Sequence, residues 1–154
     1  MSMSTSISYG YGVDMANTYI ETTSLLRFFE NHLPDEYAKM LEHEECPDFE
    51  NSDDSTCRDF LIYYFEENDF ADCSACNSCY GIIPYVMRKE TDVGFEEVRG
   101  DDEWAIIFPE CLPWLLNDTE KSLTKEKLDE ILTKYFSELG ISVTPDLEKV
   151  ESFG

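Results

Sequence analysis

Cys73, Cys76 and Cys79 form a Cys-x2-Cys-x2-Cys run, the residue pattern in this chain whose spacing points most directly to chemistry. Such spacing lets successive thiolates turn toward one ion or cluster. A ferredoxin-type iron–sulfur run places its next cysteine three residues further on, before a proline. That place is taken by Ile83, followed by Pro84, so the fourth ligand is missing locally. Zinc closes a structural site with four Cys or His ligands. Here it could recruit His43 or Cys46, which make a His-x2-Cys pair. The plain alternative is a surface loop of reduced thiols. Cys57 and Cys111 read as small core residues.

Acid–base and nucleophilic chemistry is less visible. The two histidines are His32 and His43, and His32 falls near the end of a predicted helix, where contact with the helix dipole explains it. The sequence holds no glycine-rich phosphate loop, nucleophile elbow or His-Glu-x-x-His helix. Residues 51–55 lack the ligand spacing and glycine of a calcium loop. No carboxylate pair is singled out, so no catalytic residue is named and an enzyme is not expected.

Carboxylates dominate the chain instead. Its 154 residues carry 34 acids and 11 bases, a net charge of 11 − 34 = −23. Residues 30–72 hold fifteen acids against Lys39 and Arg58, and residues 90–120 hold ten against Arg99, whereas the stretch from Lys121 onward is nearly balanced. Three predicted ridges follow. Glu42, Glu44, Glu45, Asp48, Glu50, Asp53 and Asp54 make the first, Glu66, Glu67 and Asp69 the second, and Asp101, Asp102 and Glu103 the third. Carboxylates at i and i+3 or i+4 of a helix stand ~5–6 Å apart, comparable with phosphates along a strand. A rigid display of this kind can enter a groove built for nucleic acid, with Tyr63 or Phe70 as aromatic anchors.

Composition bounds the function further. With 42% hydrophobic and 14% aromatic residues the chain is too apolar for a disordered acidic tail. No apolar run reaches the ~18 residues of a membrane span, and no basic n-region precedes an apolar stretch, so neither a span nor a signal peptide is expected. The expected location is the cytoplasm, with reduced thiols. A surface this negative repels phosphate, which disfavours direct binding to nucleic acid or to an anionic membrane. The partner implied is a basic, nucleic-acid-binding protein.

The elements that must position these residues are a strand over residues 1–12, a helix from Thr23 capped by Thr23 or Ser24, a second helix from Pro34 to His43, and a third whose apolar face is Cys57, Phe60, Leu61, Tyr64 and Phe65. A cysteine-rich loop over 72–79 leads to strands at 81–88, 93–98 and 104–108, with a helical turn at 112–116 tucked against the sheet. An amphipathic helix over 122–140, capped by Thr124 and stopped by Gly140, is followed by a strand at 141–144. The expected fold is α+β: one domain, with a small antiparallel sheet packed by three to four helices.

The stretches Ser6-Ile7-Ser8-Tyr9-Gly10-Tyr11-Gly12, Trp104-Ala105-Ile106-Ile107-Phe108-Pro109-Glu110 and Pro113-Trp114, running into the last helix, resemble small acidic proteins of bacteriophages and mobile elements. The resemblance covers about a third of the chain and carries no catalytic motif. It implies a non-enzymatic inhibitor of host defence, of the anti-CRISPR or anti-restriction kind that imitates DNA and occludes a nuclease's binding site. The alternative is a metal-binding interaction module organised by Cys73, Cys76 and Cys79.

Overall fold

Ile7, Tyr9, Tyr11 and Val13 alternate with small residues, which suits a strand with one apolar face. They lie in β1 (Thr5–Asp14), the longest strand of the computed structural model, which describes the backbone of residues 5–70 and 78–153 and the side chains of 7–70 and 78–151. β1 pairs antiparallel on one side with β3 (Trp104–Pro109) and on the other with β4 (Asp146–Phe153), while β2 (Glu96–Arg99) pairs with β3. The order is β2-β3-β1-β4. With six α-helical segments among the described residues, the α+β expectation holds, with more helices than foreseen.

The sheet curls. A Cβ on Gly12 would stand 1.9 Å from the Ile106 carbonyl oxygen, and one on Gly10 would stand 2.6 Å from that of Phe108, so β3 crosses β1 where only glycine leaves room. The two edges of the sheet then meet, because the Asp101 N–H, just past β2, donates to Glu151 O on β4 at 3.0 Å. Ala105, Ile107 and Val150 fill the crease between them, backed by Val98. The other face of the sheet presents Tyr11, Val13, Ile106 and Phe108 to the helices.

Helices α1 (Thr22–His32), α2 (Pro34–Leu41), α3 (Asp54–Glu67), α4 (Ile82–Thr91), α5 (Asp118–Lys121) and α6 (Lys125–Glu138) build the rest. Pro34 ends α1 and occupies the first turn of α2, as expected, although α2 stops at Leu41. The predicted face of α3 is buried in full, and so are Leu128, Ile131, Leu132 and Tyr135 of α6. Thr124 caps α6 by accepting the Lys127 N–H, and Gly140 follows at φ +80°.

Several expectations are corrected. α1 begins at Thr22 with no side-chain cap, and the Thr22 hydroxyl donates to Asp54 instead. Residues 82–91 are a helix, not a strand. Ile82, Ile83, Val86 and Met87 share a buried helical face, and Pro84 sits in the first turn, where its missing N–H has no intrahelical role. Residues 141–145 are unpaired and the strand comes later, as β4, held mainly by its ladder to β1. α5 was not foreseen, although Asn117 and Glu120 form a full capping box and the Glu120 carboxylate also accepts the Gly94 N–H. His32 does more than face a dipole, since its ring joins Glu90 of α4 to Glu138 of α6. Among the described residues, no helix is long and apolar enough to cross a membrane.

Candidate partner-binding surface

The segment that follows α2 is laid along α3 by aromatic packing. The His43 ring stands 5.6, 6.2 and 5.9 Å from the rings of Phe60, Tyr63 and Tyr64, and Phe49 packs on Phe60 at 6.2 Å. The His43 Nδ1 accepts the Glu45 N–H at 3.1 Å. Asp48 turns the segment, accepting from the Asn51 side chain and the Glu50 N–H, and those bonds hold its carboxyl below the usual range. Asp53 then caps α3 through the Thr56 N–H at 2.7 Å, with the same effect on its own acidity.

This packing places Glu42, Glu44 and Glu45 beside the solvent side of α3, where Asp59, Tyr63, Glu66 and Glu67 are exposed. Two of the three predicted ridges therefore share one surface. Residues 42–69 hold eleven acids and one base, a net of 1 − 11 = −10. That base, Arg58, is turned inward. Its guanidinium donates to Asp54 at 3.0 Å and to Ile20 O, reaches the Tyr80 hydroxyl and lies 4.7 Å over the Tyr19 ring. Asp54 is thereby tied to Arg58 and Thr22 while staying exposed, and its carboxyl is held low by the Thr22 hydroxyl first and by Arg58 as well. Among the described residues, the carboxylates of Glu42, Glu44, Glu45, Glu50, Asp59, Glu66, Glu67 and Asp69 have no hydrogen-bond or ion-pair partner, so their charge is directed at solvent.

The third ridge lies elsewhere. Asp101, Asp102 and Glu103 form the β2–β3 turn, folded against β4, where a Glu103 carboxylate oxygen stands 3.5 Å from the Glu151 nitrogen. Asp102 and Glu103, with Asp14 and Glu148, line a depression of about 150 Å³. Between this turn and α3 lies a second cavity, of about 240 Å³, lined by Tyr19, Arg58, Arg99 and Trp104. The Trp104 ring stacks on Tyr80, with centroids 5.3 Å apart.

Of the metal candidates, Cys73 and Cys76 lie outside the described residues. Cys79 is buried at the head of α4, where an Arg58 Nη1 approaches its sulfur to 3.5 Å and burial pushes the thiol up to about 11. His43 and Cys46 lie on another side of α3. Residues 58 and 60 of a helix point ~200° apart, so Cys79 beside Arg58 and His43 beside Phe60 do not converge on one ion. The Cys46 thiol is pushed up by burial and by its neighbour Cys57. Among the described residues, no group of three His, Cys, Asp or Glu side chains is arranged to hold a metal.

The aromatic anchors divide. Tyr63 is 43% exposed, as a contact residue should be, but Phe70 is 6% exposed and packs against Phe29, Phe65 and Tyr85. The larger apolar surface was missed. Residues 112–116 are not tucked against the sheet: Leu112, Trp114 and Leu115 are exposed around a 3-10 turn, Pro113–Leu115, and Cys111 is exposed rather than in the core. The signal available was an apolar run with no polar alternation, placed just after a strand. No protein-family model, curated protein or solved structure matches this chain.

Proposed function

We propose that the chain is a non-enzymatic inhibitor that occupies the basic nucleic-acid site of a host defence nuclease, of the anti-CRISPR or anti-restriction kind, in the cytoplasm of a bacterial host. The observation that carries this reading is the α3 surface: eight exposed carboxylates on α3, just past its end and on the segment packed along it, with Arg58 turned inward. Duplex DNA presents one negative charge per ~1.7 Å of axis, and the proteins that grip it line their grooves with Lys and Arg. An anionic surface carried on packed elements attracts the same grooves over long range. Asp53 and Asp54 serve the fold; Glu42, Glu44, Glu45, Glu66 and Glu67 supply the contact, with Tyr63 between them as its apolar centre.

Capture from a bacterial lysate on the immobilised chain tests this. Retained DNA-binding proteins should be released by excess duplex DNA or by high salt, and should be lost when Glu42, Glu44, Glu45, Glu66 and Glu67 are all changed to Lys. Undiminished capture by that folded variant would contradict the reading.

A further inference from the structure

β4 ends the strand order, and part of its outer backbone edge is open. The Glu151 carbonyl accepts the Asp101 N–H at 3.0 Å, so the backbone of Glu151 faces away from β1. Antiparallel pairs alternate between hydrogen-bonded and non-hydrogen-bonded, so Lys149 and Leu147 face outward in the same way. The opposite side of the ladder agrees. Tyr9, in register with Lys149, accepts the Glu110 N–H at 2.9 Å on its β3 side. Among the described residues, no backbone group pairs with Leu147 or Lys149 across the open edge, and the Leu147 N–H is held at 2.8 Å by the carboxylate of Asp146. An edge of this kind is a template for another strand.

The two faces of β4 define what that strand would carry. Leu147 and Lys149 lie on the face turned to the helices, in register with Tyr11 and Tyr9. There Leu147 is 78% exposed, beside Tyr9, Tyr11, Phe108 and Leu116 in a groove of about 610 Å³. Asp146 and Glu148 point to the opposite face. Glu148 is half-buried there and, among the described residues, has neither a hydrogen-bond nor an ion-pair partner. It shares a depression with Asp14, Asp102 and Glu103. Burial, and then the charges of Asp14 and Asp146, raise its carboxyl. Lys149 does not neutralise it, being drawn 2.6 Å from Glu151. A residue added opposite Leu147 therefore meets apolar surface, while its neighbours in sequence, opposite Asp146 and Glu148, meet carboxylates. A second β4 does not fit this edge. Pairing that uses both open residues sets Leu147 against Lys149, and so sets Glu148 against its own counterpart, like charge on like.

We propose that the open edge of β4, at residues 147–149, takes up an extended segment of a protein partner as a further strand. Its apolar side chain stands opposite Leu147, and the Lys or Arg residues on either side of it turn to the other face, toward Asp146 and Glu148. Backbone hydrogen bonds to Leu147 and Lys149 hold the segment, and the alternation of apolar and basic residues selects it. The site rests on strand register and does not depend on the α3 surface.

The test titrates two synthetic peptides of one composition onto the full chain, one alternating lysine with valine and the other carrying them in separate blocks. At about 0.15 M salt a Debye length of ~8 Å screens attraction to distant carboxylates. The alternating peptide should bind at least about tenfold more tightly, the equivalent of one or two backbone hydrogen bonds. Amide hydrogen exchange reads the geometry without any variant. In the free chain Glu148 and Val150, bonded to β1, should be protected and Lys149 should not, and the alternating peptide should slow exchange at Lys149. K149P removes an outward N–H but no ladder bond. It should weaken the alternating peptide at least about tenfold even though it also removes a positive charge, and E148K should weaken it severalfold. An E66K/E67K variant should bind it within about twofold of wild type, so failure of the α3 reading would leave this result standing. Equal binding of the two peptides, binding of neither, or binding that leaves Lys149 exchange unchanged would each overturn the proposal. So would protection of Lys149 in the free chain.

Discussion

The Nδ1 of His32 stands 2.8 Å from a carboxylate oxygen of Glu90, while its Nε2 bonds Glu138, so one imidazole ties the ends of α1, α4 and α6. Tyr135 completes the cluster by donating to the other Glu90 oxygen at 2.7 Å. Burial alone would lower the pKa of His32, but the bonds to Glu138 and Glu90 outweigh it and the pKa is raised. A raised histidine pKa stabilises the fold fully below the unfolded value of ~6.5, and the contribution is lost as pH climbs through the folded value. The melting temperature of wild type should therefore exceed that of H32Q by most near pH 6, with the gap narrowing at alkaline pH. The cost at low pH is about 1–2 kcal/mol, since both glutamates are more than a third exposed and solvent screens the pairs. A gap independent of pH would contradict this.

Glycine is required where β3 crosses β1. Gly12→Ala would press a methyl group into the Ile106 carbonyl, a backbone atom that cannot swing aside, and should cost about 3 kcal/mol or more in chemical denaturation. Gly94→Ala meets only the end of the Glu120 side chain, at 3.1 Å, and should be far milder. Equal effects would show that the sheet does not curl as described.

Acids that hold the fold should separate from acids that face solvent. Asp54→Ala removes the partner of the half-buried Arg58 and of Thr22, and should destabilise by about 1–2 kcal/mol. Asp53→Ala removes the α3 cap and should lower the melting temperature measurably. Lysine at Glu44 or Glu66 should leave the melting temperature unchanged or raise it, by relieving self-repulsion. Thermal melts of the four variants decide this.

At a net charge of −23, the folded state works against its own field. Added NaCl should raise the wild-type melting temperature up to about 0.5 M, where the Debye length falls to a few ångströms, and should raise it less in a variant with five carboxylates reversed. A flat or falling response would mean that repulsion is not a main term in the stability of this chain.

Much of the helical framework was legible because its signals are local and redundant. In α6 the apolar spacing, the cap and the stop all point the same way, and in α3 the apolar spacing alone marks the buried face. Residues 81–88 misled because a short apolar run with two isoleucines and a proline fits an edge strand and a first helical turn equally well, and tertiary packing decides between them. β4 was illegible for the opposite reason. Its sequence is mostly charged, and its place is set by backbone pairing with β1, which has no periodic signature. The acidic residues themselves were visible, but their grouping was not. Nothing local reveals that His43 would pack on Phe60 and Tyr64 and so carry Glu42 to Glu45 alongside α3, or that Arg58 would turn inward. Phe70 and Trp114 exchanged places as core and surface because burial of a single aromatic depends on which elements meet over it.

The most direct test of the central claim is an equilibrium competition between this chain and a duplex DNA ligand for a nuclease captured from the host. The apparent dissociation constant of the chain should rise in proportion to DNA concentration once DNA saturates the nuclease, should rise with salt when DNA is absent, and should rise at least about a hundredfold on reversal of the α3 carboxylates. An affinity that does not change as DNA saturates the nuclease would contradict the account.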